Sequence, residues 1–479
     1  MRIRVVRSAE SLPAGLLAVA RVPRSGTKVG DSEKAMAGLR RALGGLARRG
    51  GRADVVSRRS AQKTIEVFGA PLSVREVVSR IIADVRADGD AAVARYTRKL
   101  DDVSLRPSGF RVPKETIEAA PASVSQELMK ALATAAKRIR EFQQLIKKDS
   151  AEPRITAEGA VLEVRYRPLK RVAVHVPGWA AAYPSSVLMC VVPARVAGVP
   201  QIAMCTPPQR NGAVAPAVLA AANLVGVDEV YQIGGAQAIA ALALGTETIP
   251  RVDKIVGPGN AFVTEAKRQL FGEVGIDILA GPSEVVIIAD DTAPADYVAA
   301  DMLSQAEHDP GCAVLITTSD KLVKKVQASL EVQLSDLDRW ETAQAALERY
   351  GLIVVTQTLD EAAQLADFFA PEHLEVITRQ PRVLASKISN AGAIFLGPNT
   401  PEAVGDYIAG PSHVLPTGGA ARFQSGLSAR DFIKGTSIVS YTREALRSVA
   451  DDVVRIAEVE GLSAHVSSIL ARFQARPKP

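Results

Sequence analysis

Nine short runs rich in Val, Ile and Leu alternate with Ala-rich stretches between residues 171 and 397. RVAVHVP (171–177), QIAMCTP (201–207), EVYQIGG (229–235) and KIVGPG (254–259) form one series. EVVIIAD (284–290), AVLITTS (313–319), GLIVVTQ (351–357), LEVITR (374–379) and GAIFLG (392–397) form a second. Apolar runs this short and this continuous read as strands buried on both faces, and the stretches between them, such as 213–225 and 236–244, read as helices. Strand–helix alternation predicts parallel sheets with helical crossovers, and two series predict two doubly wound α/β units. A chain of 479 residues also exceeds what one core accommodates.

Helical periodicity flanks this region. LSVREVVSRIIADVRADGDAAVARYTRKL, from Leu72, reads as two helices broken at Asp88-Gly89, and 122–147 and 443–474 read as further helices. The expected division is a basic extension over 1–60, a helical segment over 61–170, α/β domains over 171–282 and 283–420, and a helical segment over 421–479. The extension carries twelve Arg and two Lys against four acids, a net of +10, so the other 419 residues carry −4. It has no aromatic interleaving, so nucleic acid is an unlikely partner. A solvated helix with a Gly-rich tail is the expectation.

Cys190, Cys205 and Cys312 lie far apart among apolar neighbours, which predicts reduced, buried thiols in a cytoplasmic protein. No run of 18 apolar residues is present, so no membrane span is expected. GPGNAF has Phe262 where a third glycine would complete the dinucleotide fingerprint, so that motif is absent.

Four of the five histidines stand near carboxylates in the second half of the chain. In ADYVAADMLSQAEHDPG, Asp301, Gln305 and His308 share one helical face at i, i+4 and i+7. Gln305 and His308 can point at one divalent ion; the alternative is a polar helix end with His308 meeting the dipole. In FFAPEHLEVIT, Glu372 and His373 follow a helix-breaking Ala-Pro and precede a strand, so they form either an acid–base pair or a solvated turn. Asp406, Tyr407 and His413 lie in a Gly- and Pro-rich loop, and Glu460 and His465 lie near the C-terminus.

Taken together, SQAEHDP, FAPEHLE, GDYIAGPSHVLPTGGAARFQSGLS and EVEGLSAH, with the stretch 234–290, resemble the histidinol dehydrogenase family over roughly residues 72–470. The resemblance implies two incomplete Rossmann-like doubly wound domains plus small helical N- and C-terminal segments, in a homodimer with shared active sites. It implies zinc held by Gln305, His308, Asp406 and His465, and Glu372 and His373 as acid–base catalysts. Ser283, Glu460, His373 and the metal ligands would meet L-histidinol, and His175, Gln237 and Asn260 would meet NAD. The implied reaction is a four-electron oxidation through histidinal to L-histidine with two NAD. The chain reads HVPGW (175–179) where the family usually has YVPGG, which leaves open a paralogue acting on another small amino or sulfonated alcohol. A non-catalytic zinc-bound protein with an anion-binding N-terminus is the alternative of another class.

Overall fold

The computed structural model describes residues 5–6, 18–21, 29–48, 58–148, 154–157, 159–178, 181–209, 211–227, 229–308 and 311–473. Two parallel sheets dominate it. The first has five strands in the order Glu229–Tyr231, Gln201–Cys205, Arg171–His175, Lys254–Val256 and Gly275–Ile276. All five residues of the central strand are buried. Its alternate residues feed separate cores, as strand geometry requires. Val172 and Val174 pack with the helix Pro184–Ala197, while Ala173 packs with the helix Gly235–Leu244.

The helix expected from Leu72 covers that second core. Val77, Val78, Ile81 and Val85 recur at helical spacing and are all buried. Ser73 starts the helix with a reciprocal capping box to Glu76, and the expected break falls at Gly89.

The second sheet has seven parallel strands: Val5–Val6, Ala18–Arg21, Leu352–Val355, Cys312–Thr317, Glu284–Ala289, His373–Ile377 and Ala393–Leu396. A third, antiparallel sheet joins Ile433–Tyr441 to Ala160–Pro168 and Arg154–Ala157. The expected helical segment over 421–479 is corrected: it contains the strand Ile433–Tyr441, and its two α-helices are Arg443–Val459 and Ser463–Leu470. The longer one buries only Ala445, Ala450 and Ala457 and leaves Ile456 and Val459 exposed. Among the described residues no helix is long and apolar enough to cross a membrane.

The reading of residues 1–60 as a solvated appendage is corrected. Ala18–Arg21 pairs in register with Leu352–Val355 and continues the second sheet. The helix Val29–Arg48 buries Leu39, Leu43 and Ala47 against Ala362, Leu365, Ala366 and Phe369. High charge density concealed a narrow apolar stripe, which is enough to dock a helix. The Gly-rich run 49–57 lies outside the described residues.

Candidate active site

The helix Leu359–Phe369 ends at Ala370, which takes a left-handed conformation (φ 55, ψ 62). That region is uncommon for a residue other than glycine, and Pro371 cannot continue the helix. The chain turns sharply, and Glu372 and His373 enter the start of the next strand, both buried. Val285 of the neighbouring strand lies opposite His373. Just before it, Ser283 Oγ donates to Glu372 Oε2 at 2.6 Å and the Glu284 amide donates to the same oxygen at 3.0 Å.

Three carboxylates surround the His373 ring. Glu402 Oε2 lies 3.5 Å and Glu372 Oε2 3.7 Å from Nδ1, and Asp406 Oδ1 lies 3.4 Å from Nε2. Burial disfavours the imidazolium, but the charges of Glu372, Glu402 and Asp406 outweigh it and raise the His373 pKa to about 10. Burial pushes the Glu372 carboxyl up and carries Glu402 to about 7. With these carboxylates unscreened the ring holds its proton at neutral pH, beside a carboxyl held above its usual range.

Gln305 is fully buried near the end of the helix Ala295–Ala306. Its Oε1 lies 3.5 Å from Ser283 Oγ, and its Nε2 has no protein partner. His308 sits past the helix end and is exposed. Gly311 closes that turn with a 2.6 Å bond from its amide to the His308 carbonyl, and a Cβ there would collide with the Gln305 carbonyl. Asp309 lies outside the described residues. Asp406 stands on the short helix Glu402–Tyr407, where its charge acts on His308, His373 and His413. His413 Nδ1 donates to the Asp406 carbonyl at 3.0 Å and its Nε2 accepts from Ser186 Oγ at 3.2 Å, so this histidine braces the Asp406 loop.

The structure therefore connects Ser283, Gln305, Glu372, His373 and Asp406, with His308 beside them. Glu460 and His465 are exposed on the C-terminal helices and take no part in this chain's hydrogen-bond and ion-pair network around His373. Among the described residues no group of three His, Cys, Asp or Glu side chains is set to hold a metal ion. The donors present in one chain are an amide oxygen, an imidazole and a carboxylate. These donor types suit a divalent ion; the unpartnered atom of Gln305 is its Nε2, a hydrogen-bond donor, so it does not itself mark a cation position.

The first sheet carries a separate cleft of about 380 Å³ at the carboxyl ends of its strands, lined by His175, Gly178, Gln237, Asn260, Asp101 and Lys63 among others. His175 Nδ1 donates to the Pro258 carbonyl at 2.7 Å, and its buried Nε2 has no partner. Burial takes its pKa down to about 4, so the ring is neutral. Gln237 is buried, donates to Asp101 at 3.1 Å and leaves Oε1 without a partner. Asn260 caps the helix Ala261–Leu270 by accepting from the Phe262 and Val263 amides. Gly257, at φ +108, packs so tightly on the His175 backbone that a Cβ would overlap its carbonyl. Trp179 lies outside the described residues. Two orphaned polar atoms aimed into a cleft at a sheet's carboxyl edge fit a polar cofactor.

Glu402 escaped the sequence reading. Its signal was the i, i+4 spacing to Asp406, which places both on one helical turn. The three cysteines form no disulfide and are buried, as expected, and burial pushes the Cys205 thiol up to about 12. None is an activated nucleophile.

Two parallel α/β layers, one bearing a buried Glu–His pair and the other a polar cleft, define an α/β oxidoreductase. The comparisons make this specific. The chain belongs to the histidinol dehydrogenase family, whose model matches residues 70–473. It is 48% identical over 425 residues to a histidinol dehydrogenase of Rhodopirellula baltica, covering 88% of this chain and 92% of that protein. It is 50% identical over 403 residues to one of Bacillus cereus, covering 84% and 93%. The crystal structure of histidinol dehydrogenase from Elizabethkingia anophelis superposes with a TM-score of 0.80 at 37% identity, covering 84% of this chain and 92% of that one.

Proposed function

We propose that the protein oxidises L-histidinol through histidinal to L-histidine, with two NAD and a divalent zinc ion, as a cytoplasmic homodimer. The observation that carries this reading is the buried Glu372–His373 pair with Asp406 and Gln305 around it, in a chain about half identical to histidinol dehydrogenases. Gln305, His308 and Asp406 would hold the ion, with His465 of a second chain completing the set. When bound, the ion supplies an anchor for the amine and imidazole of the substrate. Glu460 would reach the substrate from the same second chain, since both residues are exposed on helices with an uncovered apolar face.

Once a bound cation offsets the carboxylates around it, His373 would be neutral and would take the alcohol proton as hydride leaves for the nicotinamide, and its carboxylate neighbours would stabilise the imidazolium that forms. Glu372 then takes a proton from the water that attacks the aldehyde. Burial raises its pKa, which makes it a stronger base than an exposed carboxylate. Ser283 already donates to Glu372, so it orients that base. NAD would lie in the cleft of the first sheet, against Gln237, Asn260 and His175, where His175 replaces the family's usual tyrosine.

The test is NADH formation with L-histidinol, monitored by absorbance, together with metal analysis. Two NADH per histidinol and about one zinc per chain are expected. No activity with histidinol but turnover of another small amino alcohol would establish the paralogue reading instead. Full metal content in His308→Ala would remove that residue from the ligand set.

A further inference from the structure

The polar groups lining the cleft of the first sheet share one hydrogen-bonding sense. Gln237 is fully buried, and its Nε2 is committed to Asp101 Oδ2 at 3.1 Å. A carboxylate accepts, so this bond orients the amide and leaves Oε1, an acceptor, as the end without a partner. His175 is 3% exposed, and its Nδ1 donates to the Pro258 carbonyl at 2.7 Å. A carbonyl accepts too, so Nδ1 carries the proton of the neutral ring. Nε2 is then a bare lone pair, again without a partner. Two buried acceptors in one cleft lack donors, a cost that a bound ligand with O–H or N–H groups removes.

Asp101 lines the same cleft, at the end of the helix Val74–Leu100. Burial above all, and then the charge of Asp102, raise its carboxyl to about 7 against the pull of Lys63 and of the Gln237 bond. A carboxyl so placed is short of donors. Among the described residues lining the cleft, Lys63 is the one Lys or Arg, and Asp102 holds it at 2.6 Å. The helix bearing Asp101 packs on the helices Gly235–Leu244 and Ala261–Leu270 of the first sheet. His373 lies on the second sheet. A dinucleotide that gives its nicotinamide to His373 therefore has its adenosine half left for the Asp101 end.

We propose that Asp101 and the Gln237 Oε1 it orients accept hydrogen bonds from the ribose hydroxyls of the adenosine half, and that Asp101 thereby selects NAD over NADP. A ribose diol brings two O–H donors to a pair of acceptors. A 2′-phosphate replaces one of those donors with oxygens that accept, and it sets negative charge against a carboxylate whose nearest lysine is already paired. His175 Nε2 accepts a further donor from the same cofactor.

The proposal rests on the reading that NAD occupies this cleft. Isothermal titration calorimetry without histidinol, at about pH 8 where the Asp101 carboxyl is ionised, measures Kd for NAD and for NADP. Wild-type protein should bind NAD at least about 30-fold more tightly than NADP. Asp101→Asn removes the charge and offers a donor, so NADP should bind about tenfold more tightly and NAD about tenfold more weakly. A damaged cleft would weaken both, so a gain for NADP has no merely structural cause. Adding Asp102→Asn releases Lys63 and should tighten NADP again. Wild-type protein that binds NADP within about threefold of NAD overturns the proposal with no variant needed. So does an Asp101→Asn variant whose ratio of the two Kd values is unchanged. Binding of neither dinucleotide overturns the cofactor reading and this proposal with it, which separates the two failures.

Discussion

Lys267 and Asp277 form an ion pair with side chains 3% and 1% exposed, at the base of the loop that edges the cofactor cleft. Lys267 Nζ donates to Asp277 Oδ1 at 2.7 Å and to the Gly257 carbonyl at 2.5 Å, and the Gly257 amide donates to Asp277 Oδ2 at 2.6 Å. The pair thus clamps both polar groups of one peptide segment. Lys267→Met keeps the apolar stem but strands a buried carboxylate with a single amide donor. Removing one partner of such a pair costs about 3–5 kcal/mol. For a unit of roughly 200 residues that lowers the melting temperature by roughly 6–20 °C. The apolar swap itself is nearly volume-neutral, so the charge left behind dominates the effect. Lys267→Met with Asp277→Asn retains an acceptor for Gly257 and removes that charge, so it should recover about 1–3 kcal/mol of the loss. Differential scanning calorimetry with and without NAD is the assay, and the KM for NAD should rise severalfold in the single variant as Gly257 loosens. A single variant melting within about 2 °C of wild type, or a double variant melting below the single, would refute the reasoning.

His373→Asn should lower alcohol oxidation by about 10²–10⁴-fold, whereas Glu372→Gln should spare that step and slow histidinal oxidation by a similar factor; equal loss of both steps in Glu372→Gln would remove its water-activating role. Co-refolding His373→Asn with His465→Asn should return about one quarter of wild-type activity, since half the dimers are mixed and each mixed dimer has one intact site of two; heterodimers without activity would place His465 in its own chain's site. Leu43→Ala removes a fully buried side chain between the N-terminal helix and the helix Leu359–Phe369. It should cost about 2–5 kcal/mol in urea unfolding, and an unchanged midpoint would return residues 29–48 to the status of a solvated helix.

The two layers were legible because a strand buried on both faces announces itself in a few consecutive residues: every one of the nine runs contains a strand. Glu372 and His373 were legible for a similar reason, since the helix stop at Ala370-Pro371 and the strand start at His373 are neighbours in the chain. The sequence reading put Gln305 and His308 on one helical face, but the helix ends at Ala306 and His308 lies past its end, where packing and not periodicity sets its direction. Tertiary structure alone decided the rest. It set the polar cleft at the carboxyl edge of the first sheet but the Glu–His pair at the amino edge of the second, beside Ser283 and Glu284. It turned a basic extension into a strand and a docked helix. It brought Glu402 and Glu375 together across a separation of 27 residues. Periodicity and breakers act over a few residues, so they are written locally; the burial of a charged group depends on every element packed around it, and no window of sequence contains that sum.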